Sequence, residues 1–186
     1  MTCDALSTCY EIAEHKHRYS AWAASRAAST KTCRFDVLTG KSIIESVGLH
    51  KLLADPALLP DPSKIDGVHV DWCELAIQAA QAKGLCGFGH GVAAKLINVY
   101  LKGVFVCGGQ ETHLNVRALH PPIDGLLLEE LYSLNIGGLR TTWATARKQR
   151  WSKFDAVQYQ AVIDAIRQSL KGQPMWTVEA YWRGYQ

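Results

Sequence analysis

Four glycines fall within eight residues, Gly84, Gly87, Gly89 and Gly91, and they separate two apolar segments with helical spacing. Upstream, Trp72, Leu75, Ala76 and Ala79–Ala80 recur at helical intervals, with Asp71 placed as an N-cap and Gly84 as the stop. Downstream, Val92 to about Lys102 reads as a second helix. A chain that reverses within so few residues needs positive φ and close backbone approach, which side-chain-bearing residues tolerate poorly. Residues 71–102 are therefore expected to form two helices on either side of a tight turn. The N–H groups at the head of the second helix, at the positive end of its dipole, then suit an anion such as a phosphate.

The rest of the chain also reads as helix. Leu6 to Ala28 favours helix, and its Trp22-Ala23-Ala24 and Arg26-Ala27-Ala28 stretches offer a smooth surface for close packing. A helix fits Phe35 to Val47 and ends before Gly48, while residues 54–67 hold three prolines and are expected to be a loop. Residues 103–120, with Gly108-Gly109, are expected to be irregular. A helix follows Pro121-Pro122, with Ile123, Leu127, Leu128 and Leu131 on one face. In the last long helix, Ser152-Lys153-Phe154-Asp155 resembles a capping box and Val157, Ala161, Ile166 and Leu170 form the stripe, closed by Gly172 and Pro174. No stretch alternates at period two and there is no internal repeat. At 186 residues the expectation is one all-α domain, 1–186, of about seven helices.

Composition limits the function classes. Hydrophobic residues make up 48% and charged residues 20%, as in an ordinary globular protein. No window approaches 18 uninterrupted apolar residues, so no membrane span is expected. The start, Met1-Thr2-Cys3-Asp4, lacks the basic-then-apolar pattern of a signal peptide. The six cysteines are scattered with no CxxC pair, which fits reduced thiols in a cytoplasm. Cys107, His113 and His120 match no closed zinc pattern, and His15 and His17 point to different helix faces, so no metal is expected. The chain is expected to be monomeric.

Charge is uneven along the chain. The net charge is only +3, but residues 138–186 carry 8 Lys and Arg against 3 Asp and Glu. Arg140, Arg147, Lys148, Arg150 and Lys153 form a basic segment without an acid, with Trp143 and Trp151 interleaved. Phosphate neutralisation plus base stacking calls for such a stripe. A solvated helix face with two core tryptophans gives the same pattern.

Asp124 is the second focus. It follows two prolines and precedes Gly125 and an apolar helix. Proline geometry places it at or just before the first helical turn, where the dipole favours its ionised form.

Gly87-Phe88-Gly89 with Val92-Ala93 resembles the hairpin signature of the helix-hairpin-helix DNA glycosylases, and Pro122-Ile123-Asp124-Gly125 resembles the segment carrying their essential aspartate. The resemblance covers roughly residues 71–135, with the hairpin at about 71–102 and the aspartate segment at 121–135. It implies DNA as partner, with the target nucleotide flipped into a pocket, and Asp124 as catalytic carboxylate. It also implies phosphate binding around Gly87, Gly89 and Gly91, and no cofactor beyond the structural monovalent cation that the family often holds at the hairpin. His90, Lys95, Arg147, Lys148 and Arg150 are further candidates for DNA contact, and Trp72, Trp143 and Trp151 for the base pocket.

Two features depart from the family. Gly91 occupies the place of the lysine that forms a Schiff base in bifunctional members, and Lys95 and Lys102 are out of register with it. That implies a monofunctional, water-using enzyme without strand cleavage, or a lysine acting from an unusual place. The 37 residues from Gly87 to Asp124 exceed the usual spacing, so residues 103–120 read as an insertion. The functional expectation is a glycosylase hydrolysing the N-glycosidic bond of a damaged or modified base, in repair or in defence against phages. The alternative is a non-catalytic helix-hairpin-helix module that binds DNA or docks a larger complex, with Asp124 as a cap.

Overall fold

The computed structural model describes residues 10–185, and among them every regular element is helical, in agreement with the all-α expectation. The first half holds α1 (Ile12–Ala28), α2 (Val37–Val47), α3 (Ile65–Ala82) and α4 (His90–Leu101). The second holds α5 (Leu114–Arg117), α6 (Gly125–Ser133), α7 (Arg140–Gln149) and α8 (Ala156–Leu170).

α4 is the central element, and every one of its residues except Val99 is buried. α1 and α3 pack directly on it, and α8 and the 151–153 turn close its other sides. The small side chains of α1 explain the close crossing, because Ala21, Ala24 and Ala28 are completely buried. A helix surrounded on all sides must be apolar all round. Three residues of α4 break that rule, namely His90, Lys95 and Asn98, and each needs a polar partner inside the core. The run His90–Gln110 is long and apolar enough to cross a membrane, with mean hydropathy 1.3, and 67% of that window is buried within the protein.

Several boundaries differ from expectation for local reasons. α3 begins at Ile65 rather than Asp71, because Gly67 lies in its first turn and does not stop it. Its buried stripe is Ile65, His69, Cys73, Ala76 and Ala80. Residues 103–120 are irregular only in part, at Gly109 (φ 82°) and in the turns 111–113 and 118–120. The chain leaves α4 as a π-helical segment, Lys102–Gln110, and then forms α5. A π-helix has a wider period than 3.6, so an α-helical reading of side chains passes over it. The loop at 54–67 contains the 3-10 turn Pro56–Leu58, capped by Asp55. The capping box of α8 pairs Asp155 with Gln158, and Ser152 instead lies in the 3-10 turn Trp151–Lys153. The expected helical start at residues 6–9, like Cys3 and Cys9, lies outside the described residues.

Two glycines set the backbone around α4. Gly87 has φ of 76°, and a Cβ there would lie 3.0 Å from the Thr32 carbonyl oxygen. At Gly91 a Cβ would fall 1.9 Å from the carbonyl oxygen of Trp151, and the Gly91 amide donates to the Phe154 carbonyl at 3.1 Å. The first turn of α4 thus lies backbone to backbone against residues 151–154. The obstructing atom belongs to the main chain, so Gly91→Ala is expected to cost about 1–3 kcal/mol, the usual range for overpacking. Gly89 has open space within 4 Å and a φ of −100°, so Gly89→Ala should be near neutral. Urea denaturation followed by circular dichroism checks this, and equal midpoints for the two variants would contradict the close approach.

Candidate functional site

Asp124 is the N-cap of α6, with Oδ1 accepting from the Leu127 amide at 2.9 Å. Its other oxygen, Oδ2, takes two more donors, the Lys95 Nζ at 3.0 Å and the Trp182 Nε1 at 2.9 Å. The Lys95 side chain is 7% exposed and that of Asp124 is 18%. Burial pushes the Lys95 ammonium below the ordinary lysine value, while the Asp124 charge opposes the shift. Lys95 is therefore not a surface contact for phosphate, contrary to the expectation that it touches DNA. It is the inner partner of the aspartate.

The pair lies on the wall of a cavity of about 600 Å³, which Tyr19, Val99, Lys102, Cys107, Pro122 and Trp182 also line. Lys102 forms an ion pair with Glu179 and lies 5.7 Å from the centre of the Trp182 ring. On the other side, the Lys95 Nζ is 5.7 Å from the Trp151 ring centre. Gly125, next to Asp124, and Trp151 line a neighbouring cavity of about 610 Å³, together with Arg147, Lys148 and Arg150. Lys148 and Arg150 are exposed, whereas Arg147 is engaged with Glu129 at 2.7 Å and with the Tyr132 ring. Arg150 holds φ of 64°, a left-handed conformation that costs a non-glycine residue about 1–3 kcal/mol and often marks a functional turn. That turn delivers Trp151.

The glycine turn also faces a smaller hollow of about 300 Å³, lined by Gly87, Gly89, Ser152 and Lys153 among others. The Gly91 amide is not available to an anion there, because it donates to Phe154. His90 does not face the surface either: it is 8% exposed, and burial lowers its pKa. Of the three candidate pocket tryptophans, only Trp151 stands beside the pair. Trp143 is fully buried with Nε1 donating to the Ile136 carbonyl at 2.8 Å, which makes it packing, and Trp72 is half-buried against the core.

Behind the pair runs a buried polar chain. His120 Nε2 donates to Asp66 Oδ1 at 2.8 Å, and the Tyr159 hydroxyl donates to His120 Nδ1 at 3.1 Å. Asn98 Nδ2 donates to the Tyr159 oxygen at 2.8 Å and to the Pro121 carbonyl at 3.1 Å. This last bond ties the prolines before Asp124 to the helix that carries Lys95. Asp66 is held well below the usual carboxylate range by the hydrogen bonds of His120 and Arg167. His113 caps α5 through Asn115, and His17 bonds Tyr100 at 2.8 Å, so these histidines lie apart from the pair.

The sequence reading did not find Trp182, Glu179 or Tyr19. They come from the two ends of the chain, and no local pattern connects them to Asp124. Lys95 had one signal, since it lies a single helical turn beyond Gly91 and so shares its face. No family model, curated protein or solved structure matches this chain.

Losing one partner of a buried ion pair is harsher than replacing a charge that has neighbours to spare. Asp124→Ala leaves Lys95 unpaired and removes the α6 cap, and is expected to cost about 3 kcal/mol or more. Lys95→Met leaves Asp124 its amide and indole donors, and is expected to cost less than Asp124→Ala. Denaturant titration of both variants measures the asymmetry, and the reverse order would show that the pair is not buried as described.

Proposed function

We propose that this chain is a DNA glycosylase that removes a damaged or modified base, with Lys95 and Asp124 as its catalytic pair. One observation carries the reading: a buried lysine 3.0 Å from a carboxylate, on the wall of a cavity of about 600 Å³. A buried ion pair adds little stability over apolar packing, so one aimed into a cavity is better accounted for by chemistry. The cavity volume falls in the range of small-molecule sites and suits a single nucleobase. The adjoining basic cavity, with Lys148 and Arg150 exposed, supplies charge for the phosphates on either side. A base inside stacked duplex is out of reach, so the nucleotide has to be turned out.

The geometry favours the second of the two alternatives left by Gly91. No side chain fits at position 91 because the Trp151 carbonyl fills the space. Lys95, one turn later, brings an amine to the aspartate instead. In the proposed reaction Asp124 accepts a proton from the Lys95 ammonium, and the freed amine attacks C1′ of the sugar. The new C–N bond forms as the glycosidic bond breaks, and the base departs with its electron pair and takes up a proton. A proton from the attached nitrogen passes to the ring oxygen as the sugar ring opens to an imine, and loss of a C2′ proton then expels the 3′ phosphate and cuts the strand. Burial, by lowering the Lys95 pKa, makes the neutral amine more accessible than in an exposed lysine. Trp182 fixes the Asp124 oxygen that faces the lysine.

The test is a panel of duplexes carrying oxidised, alkylated, deaminated and hypermodified bases, assayed for base release and for nicks with and without alkali. Wild type is expected to release at least one base and to nick without alkali. Asp124→Asn should slow release about 100-fold or more with DNA binding retained. Lys95→Gln should abolish the alkali-independent nick. Nicks that always require alkali would return the reading to water as nucleophile. No release on any substrate, with DNA still bound, would leave the non-catalytic module.

A further inference from the structure

His69 and Cys73 lie one turn apart on the buried face of α3, 1% and 0% exposed, and His90 opens α4 at 8%. A side-chain nitrogen of each histidine and the sulfur of Cys73 all lie within 4.8 Å of one another. The Cys73 Sγ to His69 Nδ1 distance is 3.7 Å. In a tetrahedral site with ordinary metal–sulfur and metal–nitrogen bonds, the corresponding edge is about 3.6 Å.

The protonation of His69 is fixed by its neighbours. Asn98 commits its amide nitrogen to the Pro121 carbonyl and to Tyr159, so its Oδ1, 2.8 Å from His69 Nε2, must accept. His69 therefore carries its proton on Nε2 and turns the Nδ1 lone pair towards Cys73. Metal-binding histidines are held in this way, the far nitrogen donating to an outer oxygen that orients the ring. The third residue has the opposite character. His90 Nε2 is buried with no hydrogen-bond partner, a rare state for a polar atom in a core.

We propose that Cys73 Sγ, His69 Nδ1 and His90 Nε2 form a binding site for one thiophilic d¹⁰ cation, Zn²⁺ or Cu⁺. A sulfur and two imidazoles select such ions over Mg²⁺ and Ca²⁺, which take oxygen ligands. On binding, the Cys73 thiol releases its proton to solvent and the thiolate coordinates, while both imidazoles bind neutral. Thiolate plus Cu⁺ leaves the buried site uncharged. Zn²⁺ leaves one positive charge, which a hydroxide in the fourth position neutralises. The ion ties α3 to the first turn of α4 across Gly84–Gly91, and so clamps the turn whose shape places Lys95. The site does not depend on the proposed reaction.

The full-length chain, stripped with a chelator, is titrated with Co²⁺ as the spectroscopic stand-in for Zn²⁺, and with Cu⁺ without oxygen. One equivalent is expected to bind and to give a thiolate-to-metal charge-transfer band in the near ultraviolet. Zn²⁺ or Cu⁺, but not Mg²⁺, is expected to raise the Tm. Cys73→Ser should lose the band while keeping its helical circular dichroism, and Cys86→Ser and Cys107→Ser should both keep it. If Cys73→Ser does not fold, a chain with Cys3, Cys9, Cys33, Cys86 and Cys107 all replaced by Ala, which keeps Cys73 as its one thiol, decides: it should keep the band, and loss of the band places the thiolate elsewhere. No stoichiometric uptake of either ion by wild type, or a band that survives Cys73→Ser, overturns the proposal.

Discussion

An ammonium group on the most deeply buried helix of a protein persists only with an anion fixed beside it, and much of this chain is arranged to supply that anion. Lys95 sits on α4, where all other residues except Val99 are also buried. Its partner, Asp124, could adopt many rotamers, but three donors from separate parts of the chain hold it. The α6 amide takes one oxygen, and Lys95 and the Trp182 indole share the other. Trp182 follows the 3-10 turn Met175–Tyr181, so the last folded segment of the chain locks a group presented near its middle. The ion pair joins α4, α6 and the C-terminal segment at one carboxylate.

A second set of polar contacts keeps the two halves of the pair in register. Asn98, three residues after Lys95, bonds the Pro121 carbonyl and Tyr159, while Tyr159 bonds His120 and His120 bonds Asp66. The donors and acceptors in this chain have one consistent assignment, which lends it the directionality that apolar packing lacks. It fixes α3, α4 and α8 against the stretch leading to Asp124. Any slip of α4 along its axis would break the Asn98 contacts and withdraw Lys95 from the carboxylate together.

Much of the helical order was legible in the sequence, because helix signals are local. Gly48 and Gly84 end helices as read, and Asp124 caps α6 where the prolines put it. What escaped was non-local or of unfamiliar period. The π-helical 102–110 segment has no 3.6-residue stripe to detect, and so looked irregular. The site was half visible. Asp124 and Trp151 were singled out, and Lys95 was noticed but assigned to the surface, because a lysine in sequence says nothing of burial. Trp143 carried the same aromatic signal as Trp151 and proved to be core. Trp182, Glu179 and Tyr19 converge on the cavity only through folding. The decisive fact about Gly91, that the Trp151 carbonyl occupies its side-chain space, involves residues 60 positions apart.

The proposal that Lys95 has taken over from position 91 can be tested without knowing the target base. A duplex bearing a preformed abasic site presents the sugar aldehyde directly, and borohydride reduces any imine a lysine forms with it. The covalent complex is digested and the modified peptide identified by mass spectrometry. The expected result is a trapped complex with the adduct on Lys95, absent from Lys95→Gln. No trapped complex, or an adduct on another lysine such as Lys102, would contradict the central claim.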